Sequence, residues 1–325
     1  MFEPQKFVYH YTRAQTLIGK ILPSMTLQMG SYQGLNDPRE SKTWPFAFYS
    51  HSLIGNRLFR PELFAEATRN IVQKTLVLCC SRDDPCIKGD SDDRPIRSGY
   101  GHPRMWAQYA DRHKGVCLVL DQNLLHACIL SHFGQANLFS GPVEYLTTMK
   151  GPSSRSPSGC YDLVYLEDYV QRGISNAMED HIRRFQKDLF FTKHQDWRDE
   201  WEYRWIARVE NDTPYLIPIA DCLHAIILGQ DCPPEITEEI VQFCRAKNTP
   251  VHRAIWHGWQ LSLLPNLWDK EFDNGPIVIL NGISFSTAIQ CSGVFVQARD
   301  QYENVRPIRI DTNGNVVWLD QSVTI

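Results

Sequence analysis

Strand-like runs separated by stretches of helical period predict an α+β protein with mixed or antiparallel sheets and flanking helices. Three observations carry this. Phe7–Tyr11 alternates bulky and β-favouring residues; Thr75–Cys80 and Gly115–Asp121 are apolar runs of strand length; Pro61–Gln73 and Tyr165–Phe191 place apolar residues at helical spacing. No internal repeat or coiled-coil heptad competes with this reading.

In chain order, the strand Phe7–Tyr11 is followed by Leu17, Ile18, Ile21 and Leu22 at helical spacing, then by a short strand, Met25–Met29. Gly30, Gly34 and Asn36-Asp37-Pro38 supply turn signals. Pro61 suits the first turn of the next helix. Met105–Tyr109 reads as a helix between the strands Thr75–Cys80 and Gly115–Asp121. The charged stretch Arg82–Arg104 reads as a long loop, either a lid or a surface excursion. Thr147–Cys160, rich in Gly, Ser and Pro, reads as soft and mobile. Trp201–Val209 and Leu223–Leu228 read as strands, and Glu235–Lys247 as a helix. From Trp256 the character changes to short β-type runs, Pro276–Leu280, Gly293–Gln297, Arg306–Ile310 and Val316–Leu319, broken by turns such as Thr312-Asn313-Gly314-Asn315. The expected division is a main α+β domain over residues 1–255 and a small antiparallel β appendage over 256–325.

The 325 residues are enough to bury a large core, and 43% hydrophobic with 22% charged residues is a globular composition. The formal charge is −4, and Lys and Arg are scattered, so the sequence lacks the broad field that drives general nucleic-acid binding. No apolar run reaches the roughly 18 residues that span a bilayer, and Met1–Lys6 has no signal-peptide pattern. A cytoplasmic location is therefore expected, and the ten cysteines are expected to be reduced. Cys79, Cys80 and Cys86 form no CxxC pair and have no second half-site, so no metal is expected.

The sequence has no GxxxxGK[ST] phosphate loop, no GxGxxG after a strand, no HExxH and no GxSxG elbow. What it has is a series of dense local signatures: Tyr9-His10-Tyr11-Thr12, Leu35-Asn36-Asp37-Pro38-Arg39-Glu40, Met105-Trp106-Ala107-Gln108-Tyr109-Ala110 before Lys114–Leu118, Thr192-Lys193 with Trp197, Glu200-Trp201-Glu202-Tyr203-Arg204, and Ile226-Ile227-Leu228-Gly229. In this order they resemble a bacterial family known only as a domain of unknown function, over roughly residues 7–255. Arg39 stands where an apolar residue is usual.

The opening is also similar to the start of the ADP-ribosyltransferase superfamily. That resemblance implies an ADP-ribosyltransferase-like core and NAD as substrate, with no metal and with an acceptor it does not name. It further implies a toxin or phage-defence role. Its site residues would be His10, Tyr32, Asn36 and Arg204 for binding, and Glu202 with Glu200 for catalysis. Splitting the nicotinamide–ribose bond creates an oxocarbenium-like centre that a carboxylate stabilises. A tyrosine ring can stack on the cationic nicotinamide. Glu200 and Glu202, two apart on a strand, would share a face.

Structural readings stand beside these. His10 fits a hydrogen-bonded strand histidine, Tyr32 a turn cover, Asn36-Asp37-Pro38 an Asx turn, and Trp106 with Tyr109 a core pair. Glu202 with Arg204 or Lys193 fits a structural ion pair. A binding or sensor module on the same fold is the second functional class, and a nuclease-like metal site on Asp37, Glu40 and Glu202 is the third. Thiol titration in denaturant, under exclusion of air, is expected to recover all ten cysteines; a shortfall overturns the reduced-compartment reading.

Overall fold

The computed structural model describes residues 2–42, 46–51, 57, 59–87, 94–147, 155, 156, 159, 160, 162–211, 213–258, 260–264 and 267, and strand segments at 278–280, 283–290, 293–299, 305–310 and 316–318. Ten strands make the main sheet: β1 (Phe7–Thr12), β2 (Thr26–Ser31), β3 (Thr75–Arg82), β4 (Val116–Asp121), β5 (Leu138–Pro142), β6 (Glu202–Arg208), β7 (Tyr215–Pro218), β8 (Leu223–Leu228), β9 (Val251–His257) and β10 (Gln260–Leu264). Its pairs are antiparallel except β8 with β9. The α+β class is as the sequence predicts.

The sheet forks at β3. One edge of β3 pairs continuously with β6, from Glu202 opposite Ser81 to Arg208 opposite Thr75. The other edge is shared: β1 pairs at Arg82 and Ser81, and β2 pairs at Val77 and Leu76. Leu78–Cys80 lie between these pairings with no ladder partner on that edge. One arm runs β1-β4-β8-β9-β10 and the other β2-β7, so the arms diverge and leave an opening between them.

Both faces of the first arm are covered, which is why β4 is apolar at consecutive positions. Val116, Leu118 and Leu120 enter one cluster with Val8 and Ile226, while Cys117 and Val119 enter another with Phe7, Tyr9 and Tyr11. A third cluster joins Val77 and Ile206 to two helices, α1 (Glu62–Val72) and, after α2 (Pro103–Tyr109) and α3 (Gln122–Phe133), α4 (Ile174–Phe190). In α4 the buried Met178, Ile182, Phe185 and Leu189 recur at helical spacing. The expected single helix Tyr165–Phe191 is two, because Gly173 adopts φ +77° between Leu166–Arg172 and α4.

The sequence reading passed over α3. Asp121 caps it, accepting from the Asn123 and Leu124 amides at 3.0 and 3.1 Å. Its apolar residues run round the helix, with Leu125 and Ile129 buried and Leu124 half exposed, so no single face announces it.

The Arg82–Arg104 stretch is tied down at both ends. Asp83 accepts from the Gly99 amide at 2.8 Å and the Gln5 amide at 3.0 Å, and Tyr11 donates to the Gly99 carbonyl. Residues 88–93 of it, and most of the expected soft segment Thr147–Cys160, lie outside the described residues. Beyond the main sheet, five strands between Val278 and Trp318 pair in sequence order as an antiparallel sheet. The expected boundary at 255/256 falls inside β9, and the main sheet continues to Leu264. Cys79, Cys80, Cys86, Cys117, Cys128, Cys222, Cys232 and Cys244 are free thiols, and among the described residues no helix is long and apolar enough to cross a membrane.

Gly229, which closes the Ile-Ile-Leu-Gly signature, marks a close backbone approach. Its amide donates to the Gly115 carbonyl at 2.9 Å, and a Cβ there would lie 2.1 Å from the His113 carbonyl oxygen. Gly229→Ala is therefore expected to lower stability by about 1–3 kcal/mol through forced backbone displacement. A denaturant midpoint equal to wild type would contradict that.

Candidate functional site

The fork in the sheet holds a cleft of about 500 Å³. His10 and Tyr11 enter it from β1, Asn36 from the turn after β2, Cys79 and Ser81 from β3, Met105 and Tyr109 from α2, and Lys193, Glu200 and Glu202 from the segment leading into β6. Most of the dispersed signatures thus meet in one place. That volume is within the range of small-molecule sites.

His10 spans the fork. Its Nδ1 lies 3.2 Å from the Cys79 carbonyl, one of the β3 groups without a strand partner. A carbonyl only accepts, so Nδ1 carries the hydrogen and Nε2 is left as an acceptor. Burial lowers the His10 pKa, opposed by the bond to Cys79, so the ring is neutral near pH 7.

Glu200 ends a short 3-10 turn, Gln195–Glu200, after which Trp201 takes the left-handed conformation at φ 46° and the chain enters β6. Its Oε1 accepts from the Tyr109 hydroxyl at 2.7 Å and its Oε2 from Lys193 Nζ at 2.8 Å. Asn36 Nδ2 donates to the same Tyr109 oxygen at 3.2 Å. Desolvation, with Glu200 beside it, raises the Tyr109 pKa and keeps the phenol protonated.

Glu202 sits within a network of ion pairs. Arg204 donates to both its oxygens, Nε to Oε1 at 2.6 Å and Nη2 to Oε2 at 3.0 Å, and Lys193 Nζ lies 2.9 Å from Oε2. Burial alone would raise the Glu202 pKa, but Arg204 and Lys193 outweigh it and hold it at about 2, helped by a hydrogen bond from Cys79. Burial likewise works against the Lys193 ammonium, and Glu202, Glu40 and Glu200 together outweigh it and raise its pKa. The Cys79 thiol is pushed up by burial first and by Glu202 second, which leaves it a poor nucleophile.

Arg204 lies behind the cleft and is 0% exposed. Besides its bonds to Glu202 it donates Nη1 and Nη2 to the two oxygens of Glu40, and Nη1 to the Phe190 carbonyl at 2.8 Å. These five bonds occupy all five guanidinium N–H groups, so the binding role expected of Arg204 has no donor left to serve it. Tyr32 is also fully buried and does not line the cleft. Its hydroxyl lies 3.4 Å from Glu40 Oε1 and 3.3 Å from the Leu189 carbonyl, and its ring packs edge-on to Phe190. The 3-10 turn Tyr32–Gly34 points it under the sheet against α4, so it backs the ion cluster instead of stacking on a ligand.

His10, Asn36, Glu200 and Glu202 are therefore brought together, and Tyr32 and Arg204 are not. The nuclease-like triple fails on the same geometry. Glu40 and Glu202 are both held by Arg204, and Asp37 caps the short helix Pro38–Ser41 by accepting from the Arg39 amide at 2.9 Å. Among the described residues no group of three or more His, Cys, Asp or Glu is arranged to hold a metal ion. Arg39, the departure from the usual apolar residue, donates to the Thr192 carbonyl at 2.6 Å and the Asp188 carbonyl at 3.2 Å, tying this turn to the end of α4. Tyr109 is the cleft residue that pairwise reading of Trp106 and Tyr109 as core missed. Trp106 is indeed core, with Nε1 bonded to the Tyr100 carbonyl.

Residues 105–205 match the family described as protein of unknown function (DUF2971). The matched stretch of that family carries Met105, Tyr109, Lys193, Glu200 and Glu202, whereas His10 and Asn36 come from the chain before it. No curated protein and no solved structure matches the chain.

Glu202→Gln leaves Arg204 and Lys193 undercompensated, and is expected to lower stability by about 3–5 kcal/mol. Because the folded Glu202 value is depressed from 4.5 to about 2, its contribution is full above the ordinary carboxylate range and is lost as pH falls from about 4.5 toward 2. Denaturation curves across that window should show a flatter acid limb in the variant. An unchanged midpoint at neutral pH would place Glu202 outside the network.

Proposed function

We propose that the cleft binds NAD or a related nucleotide and promotes cleavage of its nicotinamide–ribose bond, as an ADP-ribosyltransferase-like enzyme or NAD glycohydrolase. The observation that carries this reading is the meeting of His10, Asn36, Tyr109, Glu200 and Glu202 from four separate chain segments in one cleft. The electrostatics favour it. Glu40, Glu200 and Glu202 set three carboxylates against the two cations Lys193 and Arg204, which leaves one net negative charge in a buried cluster. Such a field stabilises positive charge developing at the sugar.

In that reaction the C–N bond breaks with its electron pair passing to the nicotinamide ring nitrogen, which neutralises the ring. Ribose C1′ becomes oxocarbenium-like and bonds to an oxygen or nitrogen of water or of a macromolecular acceptor, which loses a proton. Glu200 would face C1′ or a ribose hydroxyl, and His10 Nε2 would accept from a second hydroxyl. A toxin or defence role is the context in which consuming NAD has an effect on a cell.

A non-catalytic binding module on the same fold is favoured by one particular observation, the full engagement of Glu202 by Arg204 and Lys193. The two readings separate on incubation of the purified protein with NAD and chromatographic detection of nicotinamide. Release by wild type, reduced by about two to four orders of magnitude in Glu200→Gln, is the expected result. NAD binding without release supports the module, and absence of both binding and release removes the NAD reading.

A further inference from the structure

The polar end of the cleft is unevenly supplied with partners. A carboxylate offers about four lone-pair positions. Glu202 fills them with Arg204 twice, Lys193 and Cys79, whereas among the described residues Glu200 accepts only from Tyr109 and Lys193. Two acceptor positions of Glu200, which is 3% exposed and lines the cleft, thus have no donor among the described residues. His10 Nε2 is a further acceptor. Ser81, opposite Glu202 in register and 1% exposed, lines the same cleft with a buried hydroxyl that has no hydrogen-bond partner among the described residues. A buried hydroxyl left in this way is costly unless something supplies its partner.

The cations tell the complementary story. Lys193 is the only Lys or Arg among the described residues of the cleft wall, and its ammonium already meets Glu200, Glu202 and, at 4.0 Å, Glu40. The Arg204 guanidinium is wholly consumed behind the wall. A phosphate entering the cleft would find no unused cation and would face a net negative cluster.

We propose that the cleft is a donor-accepting, anion-excluding subsite for an uncharged or cationic nucleoside moiety, held by hydrogen bonds from its hydroxyl or amino groups to Glu200, His10 and Ser81, with any phosphate left outside. This rests on the cleft being the nucleotide site of the preceding section, and it adds that the nucleoside end enters first and alone. For NAD the pyrophosphate would lie at the mouth.

Two probe pairs differing only by one phosphate test it on the full chain by titration calorimetry: nicotinamide riboside against nicotinamide mononucleotide, and adenosine against adenosine monophosphate. In whichever pair binds, the nucleoside is expected to bind at least about tenfold more tightly, a difference of about 1.4 kcal/mol. Ser81→Ala, which alters no charge, is expected to weaken that nucleoside about 3- to 10-fold. A nucleotide that binds as tightly as its nucleoside, an affinity unchanged by Ser81→Ala, or no binding by either nucleoside overturns the proposal. Preference for adenosine over its monophosphate, with nicotinamide riboside not bound, upholds the subsite and removes the nicotinamide-cleavage reading.

Discussion

The Arg204 guanidinium is the fixed point of this structure. It is wholly buried, and an unpaired charge there would be prohibitive, so the fold must bring partners to it from distant parts of the chain. Glu202 comes from two residues earlier on the same strand face, Glu40 from the turn after β2, and the Phe190 carbonyl from the end of α4. These contacts tie the turn after β2 and the end of α4 to β6. Lys193 extends the network to Glu200, and Tyr109 links Glu200 to α2. The cleft wall is the surface of a buried electrostatic cluster.

The two carboxylates of the cleft wall are unequally supplied with donors. Glu202 has its lone pairs spoken for, and Arg204 has its donors spoken for. Among the described residues only one phenol and one ammonium reach Glu200, which leaves acceptor positions without a donor there. The fork supplies the remaining polarity, since Cys79 would have no strand partner for its carbonyl and His10 provides one. A gap in strand pairing, normally a liability, is here covered by side chains and lines the cleft.

Much of the architecture was legible in the sequence because it rests on local pattern. The strands at β1, β3, β4, β6 and β8 and the helices α1, α2 and α5, the last at Pro234–Ala246, follow apolar runs and periodicity. The same reading passed over α3, whose apolar residues encircle it, and could not foresee the fork, because shared pairing of one strand edge depends on long-range register. At the site, His10, Asn36, Glu200 and Glu202 were legible as signatures. Tyr32 and Arg204 were misassigned because side-chain direction after a 3-10 turn, and the saturation of a guanidinium, exist only once Glu40 and α4 are in place. The weight of Tyr109 was hidden for the same reason: spacing alone pairs it with Trp106, and only the folded chain turns its hydroxyl toward Glu200.

The most direct test of the claim that Arg204 organises the cleft is a double-mutant cycle on stability, pairing Glu40→Gln with Arg204→Met. If the cluster acts as one unit, each single change costs several kcal/mol, and the double variant is no less stable than the worse single, giving a coupling of at least about 2 kcal/mol. Additive losses would contradict the account, since they would mean that Glu40 and Arg204 contribute separately and that the cleft wall does not depend on their pairing.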